Sequence, residues 1–177
     1  SVPVDGGSVV NDAYRRIAIA TEKERQELFE STARRVGIAE QNVEKDFWVC
    51  WTLDALFHGR RADAPRLLFK GGTSLSKAFG LINRFSEEIR DAGQHYLRHE
   101  LQPELERSLA DALGGNAGAG VGVRFEESDP DGQTLLVRYP TVLAPDGYVR
   151  TEVRIECGAK SALDPHVSAW LRPYVAD

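Results

Sequence analysis

A mixed α/β domain, with a short sheet and helices packed mainly on one side of it, is the fold class the sequence predicts. Three observations carry it. Two stretches with helical apolar spacing fill residues 21–57; a short apolar run, Arg66-Leu67-Leu68-Phe69-Lys70, is bounded by a proline and two glycines; and three runs with partial period-2 alternation follow a further helix. The chain of 177 residues is 42% hydrophobic and 28% charged, which suits one globular domain. A chain of this length buries roughly 70% of the surface its unfolded form exposes, so it needs no disulfide or metal staple.

The elements follow in order. Residues 1–20, with Pro3, Gly6 and Gly7, read as a loosely held arm with one turn of helix near Asp12–Ile19, and residues 21–177 as the main domain. Thr21-Glu22-Lys23-Glu24 places a hydroxyl three residues before a carboxylate, a capping box, and Gly37 stops the helix it opens. A second helix runs from Glu40 to Phe57, with Gly59 ending it. Arg66–Lys70 is a buried strand feeding a glycine turn; Thr73 to Phe79 or Leu81 reads as a helix leaving that turn, and Arg84–Ile89 as the next strand. His95–Leu113 is a long amphipathic helix, since Leu97, Leu101, Leu105, Leu109 and Leu113 recur every four residues. Gly114–Gly120 is a turn, and Val121–Glu126, Thr134–Tyr139 and Tyr148–Cys157 are strands separated by Pro-Asp-Gly turns. The tail Leu163–Val175 holds one short helical piece at most.

Composition excludes several function classes. The net charge of −5 rules out a uniformly basic nucleic-acid coat, although Arg60 to Arg90 carries seven basic against three acidic residues. Cys50 and Cys157 form no CxxC pair, which fits reduced thiols in a cytoplasmic protein. No apolar run is long enough to span a membrane, and Ser1–Gly7 lacks the features of a secretion signal. His95 and His99 stand at i, i+4 without a third ligand nearby, so they read as a solvated helix face. Methionine is absent throughout.

The segment Leu67–Lys77 is the most informative. A strand that ends in Gly71-Gly72 and enters a helix through Thr73-Ser74 presents unpaired backbone N–H groups where a phosphate is favoured. Ser74 adds a hydroxyl and Lys77 a point charge three residues on; the alternative is a tight turn with a simple helix cap. It is neither a Walker loop nor a GxGxxG loop. Glu87 and Glu88 follow about fifteen residues later and would supply hard oxygen ligands for Mg²⁺ (or Mn²⁺), as phosphoryl and nucleotidyl transfer require. Glu156, inside the apolar strand Val153–Cys157, is unfavourable there unless it holds a metal or pairs with Arg154 or Arg138.

Val43–Val49, Leu68–Lys77 and Arg84–Ile89, followed by Leu136–Pro140, Glu152–Ser161 and Arg172–Ala176, resemble successive signatures of the AbiEii/AbiGii toxin family, nucleotidyltransferase-like proteins that include the MenT-type toxins. The resemblance spans most of residues 40–177. It implies a DNA polymerase β-like nucleotidyltransferase fold and the toxin role of a toxin–antitoxin or phage-defence pair, with a cognate antitoxin as partner. It further implies an NTP substrate, Mg²⁺, and transfer of NMP to an RNA acceptor such as the tRNA 3′ end. On the matching positions, Gly71, Gly72, Thr73 and Ser74 would hold the triphosphate with help from Lys77, Glu88 would be the first metal-binding acid, and Glu156 the later one. Arg84 and Arg138 would contact RNA phosphates, and Lys45 and Asp46 would support the turn.

The pattern is not complete. The family continues with a second Asp where Arg90 stands here, and an arginine does not ligate magnesium. Either the metal site is damaged, leaving a nucleotide- or partner-binding module, or a segment of the protein is missing after Ile89 and a helical region beyond the last residue; the second is the expectation. Transfer onto a protein hydroxyl would use the same site.

Overall fold

The structure is a computed structural model that describes residues 11–64, 67–69, 81–87, 93–115, 118–144, 147, 149–159 and 173–176. Its elements are α1 (Asp12–Ile19), α2 (Glu22–Val36), α3 (Glu40–Phe57), β1 (Leu67–Phe69), β2 (Leu81–Glu87), α4 (Gly93–Tyr96), a π-helical turn (Leu97–Leu101), α5 (Gln102–Ala112), β3 (Gly122–Phe125), β4 (Thr134–Arg138), β5 (Glu152–Ala159) and a 3-10 turn (Tyr174–Ala176). The helix expected over Thr73–Phe79 lies outside the described residues.

The capping box expected at Thr21 is present: its hydroxyl accepts from Glu24 N–H at 3.2 Å, and the Glu24 carboxylate accepts from Thr21 N–H at 2.8 Å. Gly37 ends the helix at φ 74°, a left-handed conformation that penalises any residue with a Cβ. Thr21→Ala is therefore expected to lower unfolding free energy by about 1 kcal/mol, read from urea melts. α1 is more than a loose turn. Tyr14 packs edge-on against Phe47, Ala18 is buried, and the Arg25 guanidinium, itself buried, donates to the carbonyls of Ala18 (2.9 Å) and Ala20 (2.8 Å), closing the α1–α2 link.

The long helix expected over His95–Leu113 forms, but not as a regular α-helix. Pro103 has no N–H to donate to the His99 carbonyl one turn back, and its ring would collide with that turn. The helix accommodates it by widening into the π turn at Leu97–Leu101. The same widening reconciles the leucine spacing with burial. Four residues of α-helix overshoot a full circle by about 40°, so a strict four-residue repeat drifts off its stripe. A π turn drifts the other way, and Leu97, Leu101, Leu105, Leu109 and Leu113 are all buried.

Among the described residues the sheet has five strands in the order β1-β2-β5-β4-β3. Every neighbouring pair is antiparallel except β2–β5, which is parallel. Several strand bounds differ from expectation: β2 starts at Leu81 rather than Arg84, β5 runs over Glu152–Ala159 rather than Tyr148–Cys157, β3 over Gly122–Phe125 rather than Val121–Glu126, and β4 ends at Arg138 rather than Tyr139. Alternation on β5 buries Val153, Ile155 and Cys157 in one core with α3 and α5 and turns Glu152, Arg154 and Glu156 to the opposite face. Cys50 and Cys157 are both buried in this core without a disulfide. No helix among the described residues is long and apolar enough to cross a membrane.

Candidate active site on the open face of the sheet

Cross-strand register assembles the open face. Arg138 on β4 pairs with Glu152 on β5; one rung on, Arg124, Leu136 and Arg154 line up across β3, β4 and β5; on the next rung Thr134 pairs with Glu156. Three glutamates and three arginines interlock there. Glu152 accepts from Arg138 at 3.2 Å and lies 3.6 Å from Arg124, while Arg154 donates to Glu126 at 2.9 Å and pairs with Glu156 at 3.0 Å. Leu136, only 4% exposed although it points away from the core cluster, is flanked on its rung by the two arginines; their aliphatic stems suit an apolar neighbour while their charged heads reach the glutamates.

Glu156 is thus a half-exposed carboxylate, its side chain 38% accessible, with one oxygen engaged by Arg154. The pairing with Arg154 foreseen for it is present, and its exposure removes the burial penalty that made an acid in this strand unfavourable. Its position in the sheet is notable. Phe69 on β1 pairs with Phe85 on β2, and Phe85 with Cys157 on β5, a continuous rung across three strands. Glu156, one residue before Cys157, is therefore level with the point at which the chain leaves β1 toward Gly71. Adjacent strands lie about 4.8 Å apart, so two spacings, roughly 10 Å, separate Glu156 from that exit. Glu87 pairs with Leu67, two positions toward the other end of β1.

The remaining expected residues fall as follows. Gly71, Gly72, Thr73, Ser74, Lys77, Glu88 and the Ile89–Arg90 junction lie outside the described residues. Arg84 sits in β2 at a bulge, where three steps from Ile82 to Phe85 match two on β5. Arg138 is half-exposed and bound to Glu152. In the basic stretch, Arg60 is nearly buried against Glu104 at 3.2 Å and ties the end of α3 to α5. No group of three His, Cys, Asp or Glu that could hold a metal ion occurs among the described residues. His95 and His99 are exposed, their rings 4.3 Å apart, as expected of a solvated face.

Lys45 and Asp46 belong to a feature that the sequence did not reveal. Glu44, Lys45 and Asp46 are three successive charged residues, and all are buried. Each grips a different backbone segment. Glu44 accepts from the Thr141 hydroxyl (2.7 Å) and Val142 N–H (2.8 Å); Lys45 donates to the carbonyls of Arg150 (2.6 Å) and Glu152; Asp46 accepts from Tyr174 N–H (2.7 Å). Three adjacent positions sweep about 200° around a helix, so α3 is enclosed on nearly every side. Burial raises the Glu44 carboxyl above its ordinary pKa, against the pull of Thr141 and Val142. Burial likewise pushes the Lys45 ammonium down to about 8, opposed by the nearby Glu152 carboxylate.

Residues 54–177, well over half of the chain, match the family described as "Nucleotidyl transferase AbiEii toxin, Type IV TA system". The chain belongs to this AbiEii family. The match agrees with the family expected from the motifs, and the mixed sheet backed by helices accords with a nucleotidyltransferase fold. AbiEii membership makes this a nucleotidyl transferase toxin of a type IV toxin–antitoxin system, and so implies a nucleotide substrate and an antitoxin partner. The AbiEii match begins at Asp54, so the Glu44-Lys45-Asp46 triplet precedes it. Comparison with curated proteins gives no match, and neither does comparison with solved structures.

Proposed function

We propose that the protein transfers NMP from an NTP to an RNA acceptor, the tRNA 3′ end being the acceptor class considered first, and that the open face of the sheet beside the Gly71-Gly72 turn is the site. The observation that supports this reading is the rung Phe69–Phe85–Cys157, which sets Glu156 level with the end of β1, from which the chain continues toward Gly71. Phosphate-binding backbone and an acidic oxygen within one site are what transfer at an α-phosphorus requires, and here only β2 stands between β1 and the strand of Glu156.

In this reading Gly71, Gly72, Thr73 and Ser74 hold the triphosphate, and Lys77 neutralises a distal phosphate. The acceptor hydroxyl gives up its proton to solvent as its oxygen bonds to the α-phosphorus, and the bond from that phosphorus to the α–β bridging oxygen breaks with its electron pair leaving on pyrophosphate. Glu88 and Glu156 would hold Mg²⁺; only Glu156 is described, and its half-exposed carboxylate has the hard-oxygen chemistry this ion takes. When bound, the ion lowers the pKa of the attacking hydroxyl and offsets charge on the phosphorane. Arg154, held between Glu126 and Glu156, orients the Glu156 carboxylate. Arg138 and Arg84 would meet RNA phosphates, giving binding that weakens with salt.

The test is incubation of the full-length protein with each labelled NTP, Mg²⁺ and total tRNA. Label in tRNA, lost in Lys77→Ala and Ser74→Ala through weaker NTP binding with the fold intact, is the expected result. Absence of label with all four nucleotides would overturn the RNA reading, and label on a protein instead would redirect it to a hydroxyl acceptor.

A further inference from the structure

We propose that Lys45 is a positioning residue for nucleotide transfer: from the helix side of the sheet it fixes the level at which β5 enters, and thereby where Glu156 and Arg154 stand on the open face. The inference rests on the reading of Glu156 given above.

Glu152 is the junction. Its carbonyl accepts from the Lys45 ammonium, while its carboxylate gathers Arg138 and Arg124 on the other side of the sheet. One residue is therefore held from beneath by α3 and from above by the charged lattice. The preceding turn is held as well, since Arg150 offers its carbonyl to Lys45 at 2.6 Å and to the Tyr139 hydroxyl at 3.4 Å. Glu156 follows four residues later on the same strand face. β5 also joins the two halves of the sheet, pairing with β4 on one side and β2 on the other. A shift at its entry moves the carboxylate and both neighbouring rungs together.

The chemistry of the residue supports a positioning task. A lysine 7% exposed carries a desolvation penalty that an apolar side chain of equal size would avoid. In exchange the ammonium draws two carbonyls toward one point, which an apolar side chain cannot do. Glu44 and Asp46 show the contrast on the same helix: they hold the 141–142 loop and the Tyr174 turn, neither of which carries a residue of the open face.

The experiment compares wild type, Lys45→Met and Thr141→Val, the last loosening the Glu44 grip without touching β5. Two readouts are taken on the full-length protein: steady-state transfer from labelled NTPs to total tRNA, corrected for the folded fraction, and native-state hydrogen exchange of the β5 amides without nucleotide. Displacement of a catalytic group by about 1 Å costs up to about a hundredfold in rate. Lys45→Met is expected to lower kcat about tenfold or more with KM for the NTP within about twofold, and to speed exchange of β5 amides selectively. Thr141→Val is expected to lose stability with kcat per folded molecule unchanged. Should Lys45→Met not fold, Lys45→Gln, which keeps a neutral donor, takes its place with a smaller loss of the same kind. An unchanged kcat per folded molecule in an active wild-type background would overturn the inference alone. No transfer by wild type would overturn the functional reading and the bearing of Lys45 on transfer with it, and unaltered β5 exchange would then remove the structural half too.

Discussion

Glu156→Gln is expected to reduce nucleotide transfer by about a hundredfold or more while leaving the thermal midpoint within a few degrees of wild type. The two halves of this expectation have separate causes. An amide keeps the size of the side chain and a hydrogen-bond acceptor for Arg154, but loses the negative charge that a divalent cation would need. Stability changes little because the Glu156–Arg154 pair is more than one-third exposed on both sides, and Arg154 retains Glu126 at 2.9 Å. A Glu156→Gln protein that transfers at the wild-type rate would remove Glu156 from the site and leave the rung Phe69–Phe85–Cys157 as a feature of folding alone.

The largest stability effect is expected at Trp48. Its indole is fully buried, stacks on Tyr139 with centroids 5.5 Å apart and planes 9° from parallel, and meets Phe47 and Trp51 edge-on at 5.0 and 5.8 Å. Trp48→Ala would leave a cavity where four rings now meet, a loss of about 3–5 kcal/mol. Total stability of such domains is only about 5–15 kcal/mol, so the variant should melt far below wild type in a urea titration followed by circular dichroism. Trp48→Phe should be much milder. The Trp48 indole N–H is buried without a hydrogen-bond partner among the described residues, so phenylalanine removes that donor along with the lost volume. Equal losses for the two variants would contradict this account of the core.

What could be read in the sequence was what local physics determines. The Thr21 capping box, the Gly37 stop and the span of α3 depend on residues within a few positions of each other, and all three appear where the sequence puts them. The π turn was equally local but was masked by the regular leucine repeat: Pro103 was the signal, four residues after the carbonyl it cannot serve. The buried triplet was not legible because charge normally marks a solvated face; only the strongly apolar residues on both sides of it, Val43 and Phe47-Trp48-Val49, hinted that α3 has no such face. Of the open face, Glu156 and Arg138 were marked as candidates, whereas Arg124, Glu126 and Glu152 were not. Their grouping depends on register between strands distant in sequence, although the alternation Glu152-Val153-Arg154-Ile155-Glu156-Cys157 already separated a charged side of β5 from an apolar one.

Strand order also bears on how the chain acquires its shape after synthesis. β3, β4 and β5 form an antiparallel meander whose turns close over short spans, and β1 pairs with β2 close by in sequence. The parallel β2–β5 seam instead joins residues about 70 positions apart, with the whole of the long helix between them, and so carries the largest loop-closure entropy in the sheet. The meander is accordingly expected to consolidate first and the seam last. Because β1, the strand that leads toward Gly71, lies on one side of that seam and Glu156 on the other, a newly made toxin would hold both halves of its proposed site before it could use either.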